Sequence, residues 1–502
     1  MFLTTVLLAT TLSAKVLAHY DKQEAKQLVP MLSEVVRFPT YENNAEAHAA
    51  QKAWLLKTAK DFGFVARDAG KVTEIELAGP KGAPVLGLVI HGDVQPVDAD
   101  AWTFPPFEGR VENGYVLGRG SADDKGPLVQ ALLAMKALKE SGVKRTHTIR
   151  LLVGSEEESS ATEMAEYLNT HAPPDYSLVL DSEFPVVVGE KAWDGLSLGT
   201  TLADRGKSTL PYAVASIEAG LSPSIVPDHA EVKLRWKEGF PKWEPVAAAL
   251  RATKMPEGTR LVVGDTEAEE LRVVAYGKSA HAGVNITGGR NALVGLARAL
   301  EGKLPHGGAD DLLAFARIAG QDIYGTGLGI TSNDPLWGRY AVNVATIKPA
   351  TTDPALTRLY INLRRTPPRS AAESKAYLER FVNEFNAETG AALMIVEGER
   401  ESYFQDEPLG FDTNAKLVKR LMDVYARATG EKAKPAISGG GTYAKRIPNA
   451  IAFGMWFPGK PYPGHDLDEK ISIKDLERGE RVLIHALTDI ATGKKIEEPF
   501  KP

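Results

Sequence analysis

His91, Asp93, Asp123, Asp124, the run Glu156-Glu157-Glu158, Asp181 and His465 are the residues in this chain best able to do chemistry. Imidazoles and clustered carboxylates hold hard or borderline divalent cations. Taken singly, each group has a plainer reading. A lone His-x-Asp caps a loop, three consecutive acids make a solvated loop, Asp181 suits a turn, and a histidine after Pro463-Gly464 suits a surface. The plain readings give way because the groups recur, mostly just past short apolar runs. Asp93 is close enough in sequence to hydrogen-bond the His91 imidazole, which would fix its tautomer and strengthen it as a ligand. Adjacent acids at such a site can divide their roles, one holding metal while its neighbour moves protons. The 502 residues include no cysteine. Thiol catalysis, disulfides and cysteine-based metal sites are therefore excluded.

The elements that must position these groups can be read from hydrophobic spacing. Val85–Ile90 is short, apolar and bounded by Pro84 and Gly92, so it reads as a buried strand with His91 at its carboxyl end. That is the edge of an open α/β sheet where ligands bind. Strands are also expected at 72–77, 146–153 and 177–180, the last two running into Glu156–Glu158 and Asp181. Gly118 to Pro127 precedes a helix with Leu128, Leu132, Met135 and Leu138 on one face and Gly142 at its stop. This glycine-rich entry lacks a phosphate-loop pattern, and its paired aspartates would repel phosphate. Helices are expected at 21–37, with a start or kink near Pro30, and at 48–62. Later come a strand at 273–276, a helix at 291–300, a strand at 358–363, and a capping box at Ser370-Ala371-Ala372-Glu373. A helix at 414–429 and a buried strand at 450–456 precede Pro463-Gly464-His465-Asp466.

At these residues the chain resembles a known family. His91-Gly92-Asp93, then Gly118-Arg119-Gly120-x-x-Asp123-Asp124-Lys125-Gly126, then Glu157-Glu158 look like the co-catalytic zinc peptidases that include carboxypeptidase G, aminoacylase and the desuccinylases. Asp181-Ser182-Glu183-Phe184-Pro185, Gly189-Glu190-Lys191 and Gly439-Gly440-Gly441-Thr442-Tyr443 are similar to the PepV-type dipeptidase branch. The resemblance spans nearly the whole chain in the right order. It implies an α/β protein: a zinc-exopeptidase-like catalytic domain, three-layer αβα on a mixed sheet, with an inserted α+β lid domain of two ferredoxin-like halves. The expected catalytic parts are residues 19–192 and 403–502, and the lid is 193–402.

The resemblance also implies the chemistry. It gives one metal His91, Asp123 and Asp181, and the other Asp123, Glu158 and His465, with Asp123 as bridge and a cis peptide after it. Two zinc ions are expected, with manganese or cobalt as alternatives. Glu157 is expected to be the general base that takes a proton from a metal-bridging water and delivers it to the leaving amine. His281, on the lid, would hydrogen-bond the developing oxyanion, and Arg364 would bind the substrate's terminal carboxylate. Arg365 is its rival, but strand alternation points the two in opposite directions. Gly440 and its neighbours would let backbone approach the substrate. In Ser222-Pro223-Ser224-Ile225-Val226-Pro227, Ser224 stands where the dipeptidases carry Asn, which puts the inherited substrate range in question.

The expected activity is hydrolysis of unblocked dipeptides. An N-acyl-amino-acid deacylase or carboxypeptidase on the same scaffold is the alternative, and a metal-free binding protein on a decayed scaffold is a third reading. Composition is that of an ordinary globular protein, 43% hydrophobic and 25% charged with net charge −6, and shows no basic stripe for nucleic acid. Residues 1–18 resemble a secretory signal, with Val16-Leu17-Ala18 as cleavage site, although Lys15 interrupts it and a positive start is absent. An amphipathic N-terminal helix is the other reading of this stretch. A secreted or periplasmic protein, free of the membrane after signal removal, is expected. The lid has signals for two halves, around 211–275 and 340–396. In PepV-type enzymes the second half replaces a partner subunit. A monomer whose own His281 serves its own metals is therefore expected.

Overall fold

Val85–His91 is a strand with its interior residues buried, and it lies at the centre of a six-stranded mixed sheet. The strand order is Val65–Ala69, Val72–Leu77, Thr148–Gly154, Val85–His91, Tyr176–Val179, Ala450–Ala452. The first two strands join antiparallel, and the last four run parallel to one another. Period-two alternation sends successive residues to opposite faces. Leu86, Leu88 and Ile90 face one core with the helices Lys125–Glu140 and Ile473–Thr492. Val89, Leu152 and Val179 face another, with Met164 and Tyr167 of the helix Glu163–Leu168 and with Tyr443 and Ile447. The expected three-layer arrangement is thus present.

The computed structural model describes residues 2–206, 208–237, 243–267, 270–397 and 406–497. They fall into two compact units. The first comprises Met1–Glu190, Leu409–Gly464 and Asp468–Pro502, and the second Lys191–Pro408 and His465–Leu467. The expected lid boundary at 402/403 lies outside the described residues.

In the first unit, Lys125–Glu140 is buried nearly all round because it is enclosed by the sheet and by Ile473–Thr492. Pro30 sits in the first turn of the helix Leu28–Val36, where its missing N–H costs nothing. The helix Phe2–Gln23 runs through the expected cleavage point, and Val16 and Tyr20 on either side of it are buried in the core. No described helix is long and apolar enough to cross a membrane.

The strand expected at 450–456 is two strands. Ala450–Ala452 pairs with Tyr176–Val179, and Met455–Trp456 pairs with Ser182–Glu183. The break falls at Gly454, whose φ is +79°, and a Cβ there would lie 2.6 Å from the Phe184 ring.

The second unit is built on one eight-stranded antiparallel sheet. Ala341–Pro349, Thr357–Arg365, Ala192–Thr200 and Met394–Ile395 form one half, with Gly308–Ala319 and Ala371–Thr389 as its helices. This is βαββαβ connectivity with the ferredoxin-like strand order. The other half holds Arg260–Glu267, Glu270–Tyr276, His229–Trp236 and Tyr212–Ala219, with helices Glu244–Arg251 and Ala292–Ala299. Its order is the same fold with the chain start moved by one strand. The Ser370–Glu373 capping box forms as expected.

Candidate active site

Three neighbouring parallel strands deliver the first unit's candidate groups to one sheet edge. His91 ends its strand opposite Gly154, Glu156–Glu158 follow Gly154, and Asp181 lies two residues beyond Val179. Gly154 permits the close packing here, since a Cβ would fall 1.9 Å from the Tyr443 hydroxyl. Asp123 and Asp124 enter from the turn before Lys125–Glu140, and the peptide joining them is cis, as the resemblance implies.

Hydrogen bonds set the His91 tautomer. Nδ1 lies 3.0 Å from the Asp93 carbonyl oxygen, which can only accept, so Nδ1 carries the proton. Nε2 is then turned to Asp123 Oδ1 at 3.0 Å and Asp181 Oδ2 at 3.9 Å. The Asp93 carboxylate, expected to serve the imidazole, stands 3.5 Å from Nδ1. It has a second task. Its two oxygens accept from the backbone N–H groups of Glu157 at 3.1 Å and Glu158 at 2.9 Å. Glu163 accepts from the N–H of Glu156 at 3.1 Å and from the Tyr443 hydroxyl. Three successive N–H groups of the acidic loop are therefore held by two buried carboxylates.

Glu469 does the same for the loop carrying Asp123. Its Oε1 accepts from Ala122 N at 2.9 Å and Asp123 N at 3.2 Å, while Oε2 pairs with Arg119 at 2.7 Å. Tyr462 is buried beside them, and burial first, then the Asp123 and Asp181 charges, push its hydroxyl well above its ordinary value. Tyr462, Glu163 and Glu469 escaped the sequence reading of the site, and Tyr443 entered it only as the end of the Gly439–Tyr443 motif, without this role. Nothing in their local sequence marks them, because their partners are distant in the chain.

The grouping tests whether metal would fit. Ligand atoms of His91, Asp123 and Glu158 lie within 4.8 Å of one another, and so do those of His91, Glu157 and Asp181. Burial raises Asp124, Glu157 and Asp181 well above the usual carboxylate range, with neighbouring acids adding to the effect. His91 is desolvated too, yet hydrogen bonds to Asp123 and Asp93 hold it above its ordinary value. So many acids turned toward Nε2, whose proton a bound cation would displace, make a donor set suited to divalent cations. The third such group in the first unit, His19, Glu24 and Glu140, differs: the Lys136 ammonium lies 2.9 Å from Glu24.

The remaining expected site residues lie as follows. His465 and His281 belong to the second unit, with rings 4.4 Å apart and 25° from parallel. His465 has φ +63°, a left-handed conformation costing about 1–2 kcal/mol outside glycine. Its Nδ1 donates to the Ser224 carbonyl at 3.2 Å, which leaves Nε2 as the nitrogen with the lone pair. His281 is the opposite case. Its Nδ1 accepts from Gly283 N and Val284 N, both at 2.9 Å, so the neutral ring carries its proton on Nε2. Ser224 acts through its main chain, its carbonyl also accepting from Ala282 N at 2.9 Å.

Arg364 lies within the strand Thr357–Arg365, rather than just past its end, and its Nε donates to Asn362 Oδ1 at 2.9 Å. Arg365 points the other way and is wholly buried against Asp194 at 2.7 Å, with Glu407 and the Asp406 carbonyl as further partners. In the first unit, the Gly440 N–H is turned inward to Ser438 Oγ at 3.0 Å.

Residues 87–489 match peptidase family M20/M25/M40. A Bacillus subtilis (strain 168) protein named "Putative dipeptidase YtjP" is 29% identical over 478 residues, covering 94% of this chain and 96% of its own. A Staphylococcus aureus (strain USA300) protein named "Putative dipeptidase SAUSA300_1697" is 27% identical over 438 residues, covering 86% of this chain and 88% of its own. Human carnosine dipeptidase 1 has a similar structure, with TM-score 0.59 and 13% identity over 96% of this chain and 99% of its own. The dipeptidase Dug1p of Saccharomyces cerevisiae has TM-score 0.60 and 13% identity over the same shares. At such identities the structures establish likeness of fold alone.

Proposed function

The chain belongs to peptidase family M20/M25/M40, and from that we propose that it is a metal-dependent dipeptidase acting on unblocked dipeptides. The observation that carries the reading is the pair of groups that share His91, one with Asp123 and Glu158 and the other with Glu157 and Asp181, each with its ligand atoms within 4.8 Å of one another. The dipeptidase designation of relatives aligned over most of their length supports the substrate class.

In this reading His91, Asp123 and Asp181 would hold one cation, and Asp123, Glu158 and His465 the other. Zinc suits such nitrogen and oxygen donors, with manganese or cobalt as alternatives. The bound ions supply positive charge that polarises the peptide carbonyl and acidifies water. The chain's own residues do the rest. Glu157 takes a proton and returns it to the leaving amine, and burial, which raises its affinity for protons, suits it to that exchange. The His281 Nε2–H donates to the developing oxyanion. Arg364 holds the terminal carboxylate through its guanidinium fork.

The test is a comparison of a free dipeptide with its N-acetylated form, with and without added zinc or manganese. Metal-stimulated hydrolysis of the free dipeptide is expected. Preference for the acetylated form would turn the reading to the deacylase alternative. A secreted or periplasmic location and catalysis by a single chain are parts of the same proposal. Both are checked on protein recovered from outside the cytoplasm, by sequencing its N-terminus and measuring its mass in solution; a start at Met1 or a dimer mass would remove the corresponding part.

A further inference from the structure

Trp193 of the strand Ala192–Thr200 lies directly opposite Arg364, and Ala341 of the strand Ala341–Pro349 faces Arg364 from the other side. Directly opposed residues project from the same sheet face. Lys191 precedes Trp193 by two positions and starts from that face. Its ammonium donates to the Arg339 carbonyl at 2.5 Å, and Arg339 is two residues before Ala341. The lysine side chain therefore crosses the end of the strand that carries Arg364. The electrostatics agree with this path: burial first, then the Arg364 charge, push Lys191 down to about 8.

A third donor stands beside them. Asn362, two residues before Arg364 on the same face, is completely buried. Its Oδ1 takes Arg364 Nε, while its Nδ2 is buried with no hydrogen-bond partner. The Arg364 guanidinium, with this amide bonded to it and the Lys191 ammonium near enough to feel its charge, makes a set of donors for an oxyanion. Like charges held this close favour a bound anion between them. A carboxylate has two oxygens and about four acceptor directions, enough for more than one cationic partner.

We infer that Lys191 is a second ligand of the substrate's C-terminal carboxylate, sharing it with Arg364. The inference rests on the proposed reading of Arg364 and extends it. The terminal carboxylate would meet two cations from adjacent strands, which sharpens selection for a free carboxyl terminus.

The experiment measures KM for a free dipeptide and for the corresponding dipeptide amide, which lacks the carboxylate. Lys191→Met is expected to raise KM for the free dipeptide about 10-fold or more, and to change it less than about twofold for the amide. Lys191→Arg keeps a charge there and should stay near the parent. The ammonium is the binding form. In the parent, KM for the free dipeptide, relative to the amide, should thus climb as pH rises above about 8. The amide reference removes the substrate's own amine titration, and Lys191→Arg should flatten the climb. Equal losses on both substrates with Lys191→Met, or no loss on either, would overturn the inference. Arg364→Ala is run beside it. If Arg364→Ala separates the two substrates and Lys191→Met does not, only the Lys191 assignment falls. If Arg364→Ala does not separate them, the carboxylate role of Arg364 falls, and the inference with it.

Discussion

Glu157→Ala is expected to cut kcat by about 10²–10⁴ while metal content stays at the parent level. Glu158→Ala is expected to lose metal. The two residues are adjacent, both backbone N–H groups end on Asp93, and both side chains come within reach of His91. Their companions separate them. Glu158 groups with His91 and Asp123, the proposed bridge, and its Oε2 accepts from Gln95 at 2.8 Å, which fixes its orientation. Glu157 groups with His91 and Asp181, and burial holds its affinity for protons high. A buried acid that readily takes a proton suits proton transfer; Asp181 is raised likewise, and its Oδ2 lies 3.9 Å from His91 Nε2, where it would share a cation with that imidazole. Elemental analysis of the purified variants and steady-state rates at saturating substrate check the division. Metal lost from Glu157→Ala and retained in Glu158→Ala would mean that the two roles are exchanged.

The sheet and the polar groups gathered at its edge were legible because both are written locally. A run such as Val85–Ile90, short and bounded by Pro84 and Gly92, reads as a buried strand, and the polar residues that end such runs land on one sheet edge. The capping box at Ser370–Glu373 follows an equally local rule. What escaped was pairing across the chain. Tyr443 and Glu163 are 280 positions apart, and Arg119 and Glu469 are 350 apart. No spacing rule joins them. Asp93 was expected at the imidazole, and its hold on the acidic loop depended on where the neighbouring strand delivers residues 157 and 158. The break at Gly454 escaped because the apolar run continues unbroken through it. Strand alternation sends Arg364 and Arg365 to opposite faces as expected, yet only the packing shows that Arg365 is a buried structural cation.

Replacing Glu469 by alanine is expected to destabilise the protein by about 3–5 kcal/mol, the usual cost of leaving one member of a buried ion pair uncompensated. Arg119 and Glu469 side chains are 4% and 0% exposed and meet at 2.7 Å. Removing the carboxylate leaves the guanidinium buried, with the Trp102 ring at 5.4 Å as a much weaker neighbour. It also strips the acceptor from Ala122 N and Asp123 N. The second loss bears on function, because those N–H groups orient the loop that presents Asp123. Support of this kind behind a ligand is worth roughly 10–100-fold in metal affinity. Glu469→Gln separates the two effects. Its amide oxygen can still accept from both N–H groups, but it carries no charge for Arg119. Glutamine should therefore lower stability while keeping metal affinity closer to the parent, whereas alanine should lower both. Urea denaturation and zinc titration of the two variants check this. An alanine variant that unfolds at the parent's urea midpoint would show that the buried pair contributes little. Metal affinity lost equally in both variants would show that the charge of Glu469, and not its hold on the Asp123 loop, supports the site.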